Sequence, residues 1–260
     1  MQSSIKGFFI MARVVKALIL RELITRYGRD NLGFLWTFLE PALFTFLITL
    51  FWTYFRLHEG SDFPITAFIF IGYSQGLLWR NTIGQAFRAV GANMGLLYHS
   101  MVKPIDLVLS RFLLEFLSVT GGALMLGVVL VGLERVPLPY DWSYLLMGWF
   151  LMAWFGLAMA LVFASLSVLV EVLEHFINAF LYIFWILSGA LYAAAMLPPS
   201  VREYALYLPT LHNAEIVRYG FLGPVIEHYY SISYTVLFNL IATSVGLFLL
   251  RIAERKIEVE

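Results

Sequence analysis

From Trp142 to Val170 the chain runs without one charged residue, in a stretch dominated by Leu, Ala, Phe, Met and Trp. A helix on a water-facing surface keeps a polar side, and this stretch has none. It also exceeds the roughly 20 residues that carry a helix across about 30 Å of hydrocarbon. In lipid every backbone N–H and C=O must be bonded within the segment, so the stretch reads as a transmembrane helix, long enough to tilt. The whole chain shares this chemistry: 61% of its 260 residues are hydrophobic and 13% charged, against about 45–50% and about 25% in soluble domains. The 17 basic and 17 acidic residues cancel, which gives no electrostatic case for nucleic acid. The absence of cysteine excludes disulfides, thiolate metal sites and cysteine nucleophiles.

Further spans are expected at Leu32 to Phe55, Pro64 to Trp79, Ile105 to Leu133, Phe176 to Leu197 and Ser231 to Leu250. The first contains Glu40-Pro41, and a carboxylate there faces protein or water, or else sits at headgroup level. The second holds Gly72, Ser74, Gln75 and Gly76, residues suited to a packed helix rather than a lipid-facing one. The third carries Asp106, Arg111 and Glu115 in its first turns, with Arg111 and Glu115 spaced as an i,i+4 pair. Pro137 and Pro139 mark a tight turn over Glu134 to Asp141, and Glu171, Glu174 and His175 a charged break. Ser200 to Tyr230 is too polar to span and too apolar for an ordinary loop; two short helices around Pro209, dipping back toward the membrane, are predicted.

Ahead of the spans, Lys6, Arg13, Lys16, Arg21, Arg26 and Arg29 flank an apolar side of Met11, Val14, Val15, Leu18 and Ile19. Glu22 lies four before Arg26, the favourable order for a helical pair. This predicts an interfacial helix with its apolar side in the headgroup boundary. The cations break up any signal-peptide core, and no small-residue cleavage site follows. With six spans, Lys6, Arg13, Lys16, Arg21, Arg26, Arg29, Arg80, Arg88, Lys103, Arg111, Arg251, Arg255 and Lys256 share one side. Only Arg56, Arg135, Arg202 and Arg218 fall on the other, which places both termini in the cytoplasm. The expected fold is an all-α polytopic membrane protein of one domain. It comprises residues 1–31 as interfacial helix and loop, 32–250 as a six-span bundle and 251–260 as a cytoplasmic tail.

Between the second and third spans, Phe87, Val90, Met94, Leu97, Tyr98 and Met101 recur at steps of three and four, opposite Arg88, Asn93, His99 and Ser100. Lys103-Pro104 ends the pattern. The stretch is either a passive interfacial anchor or a docking element. No lysine follows a glycine, so the P-loop lysine motif is absent; there is no second histidine after His58-Glu59 and no Gly-x-Ser-x-Gly elbow. The five histidines, at loops and span ends, are expected to be solvated. Catalysis is not indicated.

Two motifs carry a resemblance. Ala17 to Pro41 combines a basic helix, Arg-Tyr-Gly, Leu-Gly-Phe-Leu-Trp and Glu-Pro; Asn93 to Glu115 carries Asn-Met-Gly-Leu and Val-Lys-Pro-Ile-Asp. In this order and spacing the chain resembles ABC-2 type permeases of polysaccharide export, most nearly those for capsular polysaccharide. The resemblance implies a homodimer in the bacterial inner membrane, two ABC ATPase subunits that hold the ATP and magnesium, and a lipid-linked polymer as cargo. It also implies a periplasmic adaptor or co-polymerase and an outer-membrane channel; this chain itself binds no cofactor or metal. Coupling to the ATPase would fall on Asn93, Met94, Gly95, Leu97, Tyr98, Met101 and Lys103, with a minor contact at Glu171 and Glu174. The loop at Gly28 to Trp36, with Leu32, Gly33 and Trp36, would lie where substrate comes in, near Glu40. Tyr207, Pro209, Glu215 and Arg218 would belong to the outer gate.

Sugar rings pack their C–H faces on aromatic rings, so Trp36, Tyr73, Trp79, Tyr182, Trp185 and Tyr192 are candidates for the path, or else are interface anchors. Arg26 and Arg29 suit a lipid-linked phosphate, or anionic lipid. Other cargoes of the same superfamily, such as O-antigen, teichoic acid or a small hydrophobic molecule, stay open. So do an ATP-independent carrier and a lipid-modifying enzyme, although no inverted repeat is visible.

Overall fold

The uncharged stretch becomes the helix around which the others pack. In the computed structural model it runs from Trp142 to Leu169 (α6), and Asp141 caps it by accepting from the Ser143 and Tyr144 amides at 2.8 and 3.3 Å. The structure describes residues 2–27, 32–55, 63–97, 102–170 and 172–259; the side chains of 2–6, 8, 26, 27, 32–38, 258 and 259 fall outside that description. Every regular element within it is helical: α1 (Gln2–Tyr27), α2 (Leu32–Tyr54), α3 (Ile65–Ala89), α4 (Met94–Leu97), α5 (Pro104–Gly132), then α6, α7 (Leu173–Leu187), α8 (Pro199–Ala205), α9 (Pro209–Leu222) and α10 (Ile232–Val259).

Small residues set how closely these rods approach. Gly148, Gly156, Ala160 and Ala164 lie at four- and eight-residue steps along α6 and are all buried. A Cβ on Gly220 of α9 would stand 2.2 Å from the backbone nitrogen of Leu145, so α9 lies directly on α6. Around α6 close α3, α9 and α10. Every residue of α3 from Ala67 to Trp79 is buried, as its glycines and polar residues predict. Among the described residues three helices, α5, α6 and α10, are long and apolar enough to cross a membrane, with mean hydropathy near 2.0. Shorter apolar runs occupy α2 (Leu39–Tyr54) and α7.

Several boundaries differ from the sequence reading. The fifth span was expected to reach Leu197, but α7 ends at Leu187 and the chain reverses through Gly189 at φ +81°, a conformation that needs no Cβ. With 15 residues α7 is only about 22 Å long at 1.5 Å per residue. The first span begins at Leu32 as expected, and α2 runs to Tyr54, so the part of the implied entry loop from Leu32 to Trp36 is helical instead. Residues 251–259, expected as a separate tail, continue α10 without a break. The helix between spans is a 3-10 turn (Gly91–Asn93) followed by the single turn of α4, and Tyr98 to Met101 lie outside the described residues. Lys103-Pro104 does more than end that pattern: Pro104 is the first residue of α5, and Asp106 accepts from the Lys103 amide at 2.9 Å. The Val-Lys-Pro-Ile-Asp motif is therefore a helix start. The two short helices around Pro209 are present as α8 and α9.

α1 also departs from expectation. Its apolar side does not face outward only: Leu18 and Val14 pack on Ala89, Leu107, Leu96 and Leu97. Glu22 pairs with Arg111 of α5, a tertiary partner that sequence spacing does not offer.

Candidate functional site

Three polar clusters interrupt the apolar packing. The first lies where α2, α3 and α7 meet. Gly72, Gly76 and Arg80 fall at four-residue steps on one side of α3. A Cβ on Gly76 would sit 2.3 Å from the Trp185 indole nitrogen, and one on Gly72 2.0 Å from the Ala190 carbonyl oxygen. The empty glycine surface thus lets α7 and the segment after it press onto α3. Arg80 then lies 3.4 Å from the Glu40 carboxylate, 5.1 Å from the Tyr182 ring centre and 5.8 Å from that of Trp185. Tyr73 donates its hydroxyl to the same Glu40 oxygen at 3.3 Å, and Phe44 stacks on Tyr73 with ring centres 3.8 Å apart.

Four of the expected path residues, Glu40, Tyr73, Tyr182 and Trp185, therefore converge on one guanidinium. Arg80 itself entered the sequence reading only as a positive charge. The available signal was its i+4 and i+8 relation to Gly76 and Gly72. Tyr182 is exposed, Tyr73 and Trp185 are buried, and the Arg80 and Glu40 side chains keep 15% and 35% exposure. Such a cluster can offer a cation, a carboxylate and ring faces to a sugar or an anionic group. Trp79 stands apart, fully buried against Phe155 and Phe184. Half-buried Tyr192 donates to the Leu187 carbonyl at 2.5 Å. Arg26, Leu32, Gly33 and Trp36 are helical in backbone, with side chains outside the described set; Arg29 lies outside it altogether.

The second cluster is sealed. On α9, Arg218 and Glu215 both have no exposed surface and lie 3.3 Å apart. Arg218 donates to the Gly189 and Ala190 carbonyls and sits 4.4 Å above the Phe68 ring. Glu215 accepts from the Ala194 amide at 3.0 Å and faces His228 Nδ1 at 3.1 Å, while His228 Nε2 meets the Gly223 carbonyl at 3.0 Å. Both His228 ring nitrogens thus face oxygen atoms of α9 and the turn after it. His212 differs: Nε2 donates to the Leu206 carbonyl at 2.7 Å and Nδ1 accepts from the Ser231 amide at 3.0 Å, the pattern of a neutral ring. The expectation of solvated histidines fails at these two positions, because α8 to α10 fold over them; His175 is exposed as expected. Pro209 starts α9, and exposed Tyr207 accepts from the Tyr234 hydroxyl through its carbonyl at 2.7 Å.

The third cluster joins α1 to the end of α3. Asn93 is buried, donates to the Ala89 carbonyl at 2.7 Å and accepts from Arg21. Met94 and Leu97 are half-buried against a cluster that includes Val90 and Val108, so part of the apolar arc turns to the bundle; Gly95 stays exposed. Lys103 caps α5 as described. Glu174 is exposed in the first turn of α7, and Glu171, Tyr98 and Met101 lie outside the described residues.

Comparison with known proteins agrees with this architecture. Residues 13–222 match the family model for ABC-2 type transporters. The chain is similar to the capsule polysaccharide export inner-membrane protein CtrC of Neisseria meningitidis serogroup B, 39% identical over 92% of this chain and 90% of that one. It is 35% identical to the inner-membrane protein BexB of Haemophilus influenzae, over 96% and 94% of the two chains. The polysialic acid transport protein KpsM of Escherichia coli is 25% identical over 95% and 96%. The chain belongs to the ABC-2 type transporter family.

Proposed function

We propose that this chain is the membrane permease of an ATP-driven exporter that moves lipid-linked capsular polysaccharide across the bacterial inner membrane. The observation that carries this reading is full-length similarity to relatives named for capsule polysaccharide export. In this reading the chain has six spans with both termini in the cytoplasm and works as a homodimer. Two ATPase subunits hold nucleotide and magnesium, and an adaptor and an outer-membrane channel carry the polymer onward. The Arg80 cluster lies on the polymer's path, where Tyr182 offers a ring face and Arg80 a cation. The exposed apolar sides of α2 (Phe46, Leu50, Tyr54) and α7 (Phe176, Ile183, Ile186) flank it and suit a second copy better than water.

Asn93 to Lys103 transmits the ATPase stroke. Asn93 ties it to α1 through Arg21, and Lys103-Pro104 ties it to α5. The test is to place charges at Gly95 and Tyr98 and measure both ATPase co-purification from membranes and surface polymer. Loss of both supports the reading; survival of both overturns the coupling role. If wild-type membranes yield no associated ATPase whose turnover needs this chain, the transporter class itself fails.

A further inference from the structure

A slot of about 420 Å³ opens between α5 and α6 on the side of their connecting turn. Its inner wall is Phe70, Trp149 and Phe221; its rim is Leu124, Val128 and Leu146, all three exposed. Ala123 and Gly127 leave α5 without bulk along it, and a Cβ on Gly127 would meet the Phe70 ring of α3 at 3.4 Å. Its volume equals that of about fourteen waters at roughly 30 Å³ each, yet a buried water needs two to four polar partners. The polar side-chain groups of the lining, Thr120 Oγ1 and the Trp149 and Trp142 indole nitrogens, do not supply them: Trp149 donates to Thr120 at 3.0 Å, and Trp142 stands exposed at the mouth. Water is thus a poor occupant, and in a membrane the rim faces hydrocarbon.

The turn above the slot supplies charges of both signs. Glu134 and Arg135 are exposed neighbours between the slot residues Gly132 and Leu138. Their amides close α5 onto the Val131 and Leu130 carbonyls, each at 2.9 Å, the arrangement that usually places glycine in the left-handed position. Here that position is Glu134, at φ +56°. A carboxylate is held in a backbone conformation that glycine would adopt more readily, and such an outlier points to a use for the side chain.

We propose that the slot holds one acyl chain of a bilayer aminophospholipid, its phosphate toward Arg135 and its amine toward Glu134. The chain fills the gap between α5 and α6 and packs on Phe221 of α9, so a lipid becomes part of the support of the sealed α9 cluster.

Full-length protein is placed in vesicles of phosphatidylethanolamine, or separately of phosphatidylcholine, each bearing a photoactivatable group on the acyl chain, and labelled residues are mapped by mass spectrometry. The inner-wall residues Phe70 and Trp149 should be labelled several-fold more in phosphatidylethanolamine. Ala123→Trp, which fills the slot, should remove that labelling while Ile241 and Phe248 on α10 stay labelled. Leu124→Trp, at an exposed rim position, should reduce it as well and serves if Ala123→Trp does not fold. Glu134→Gly should erase the preference between the two lipids without lowering Tm. Unlabelled inner walls in the wild type, or labelling that survives both tryptophans, would overturn the acyl-chain site. Equal labelling in the two lipids would overturn the headgroup assignment. None of these readouts needs an ATPase or a polymer, so the outcome is separate from that of the export reading.

Discussion

Two arginine–glutamate pairs stand at nearly the same separation, Arg80–Glu40 at 3.4 Å and Arg218–Glu215 at 3.3 Å, in opposite surroundings. The first joins two helices and keeps contact with the outside; the second lies within one helix and is closed on every side. A pair that keeps partial exposure contributes about 0–1 kcal/mol, so its members can exchange partners with a passing ligand at little cost. A sealed pair contributes little net stability relative to apolar residues of the same volume, but losing one member strands the other charge. In the proposed reading, the difference separates a surface that meets the substrate from a joint that must not open.

The largest effect is expected at the joint. Arg218→Ala should destabilise the protein by about 3–5 kcal/mol, seen as loss of folded protein from membranes and a lower Tm in detergent. The double variant Glu215→Leu with Arg218→Met should recover most of that loss. A single variant with wild-type stability would contradict the sealed joint. Gly72→Ala comes next, because the added Cβ meets the Ala190 carbonyl oxygen at 2.0 Å. Overpacking of this kind costs about 1–3 kcal/mol. Gly121→Ala on α5, where nothing lies within 4 Å, should instead gain about 0.5–1 kcal/mol from helix propensity. Equal Tm shifts for the two alanines would break the close-approach argument. Tyr73→Phe, which removes the hydroxyl bonded to Glu40, should cost about 1 kcal/mol. Arg80→Ala should change stability least, by under about 1 kcal/mol, while surface polymer falls several-fold. Arg80→Lys should restore export only in part, since an ammonium keeps the charge and loses the planar stack. Full export from Arg80→Ala would remove the cluster from the path.

Long apolar runs were the easiest features to read, because the bilayer leaves the backbone one solution: α5, charged only in its first turns, α6 and the membrane part of α10 stand close to their expected limits. The break at Pro209 was legible for the same kind of reason, proline chemistry. α7 was not. Its sequence stays apolar past Leu187, and only tertiary contact, with Gly189 turning the chain beside Leu211, ends the helix there. The residues of the Arg80 cluster were legible as types, since aromatic rings and one carboxylate inside a span are visible in the chain. Their gathering point was not, because Arg80 is neutralised across three helices. The histidines misled for a related reason: position at a span end says nothing about which later segment folds over it.

α10 gives the chain a mechanical property that its spans alone would not have. From Ile232, beside the Ser231 amide that holds His212, to Val259 it is one unbroken helix of 28 residues, about 42 Å at 1.5 Å per residue. Near its far end Lys256 donates to the Val168 carbonyl at 3.0 Å, fastening it to the last turn of α6. A strut pinned at one end to the α9 joint and at the other to α6 cannot tilt at one end alone. A displacement of the Lys256 end would be carried along the helix to α9 through the Ser231–His212 hydrogen bond.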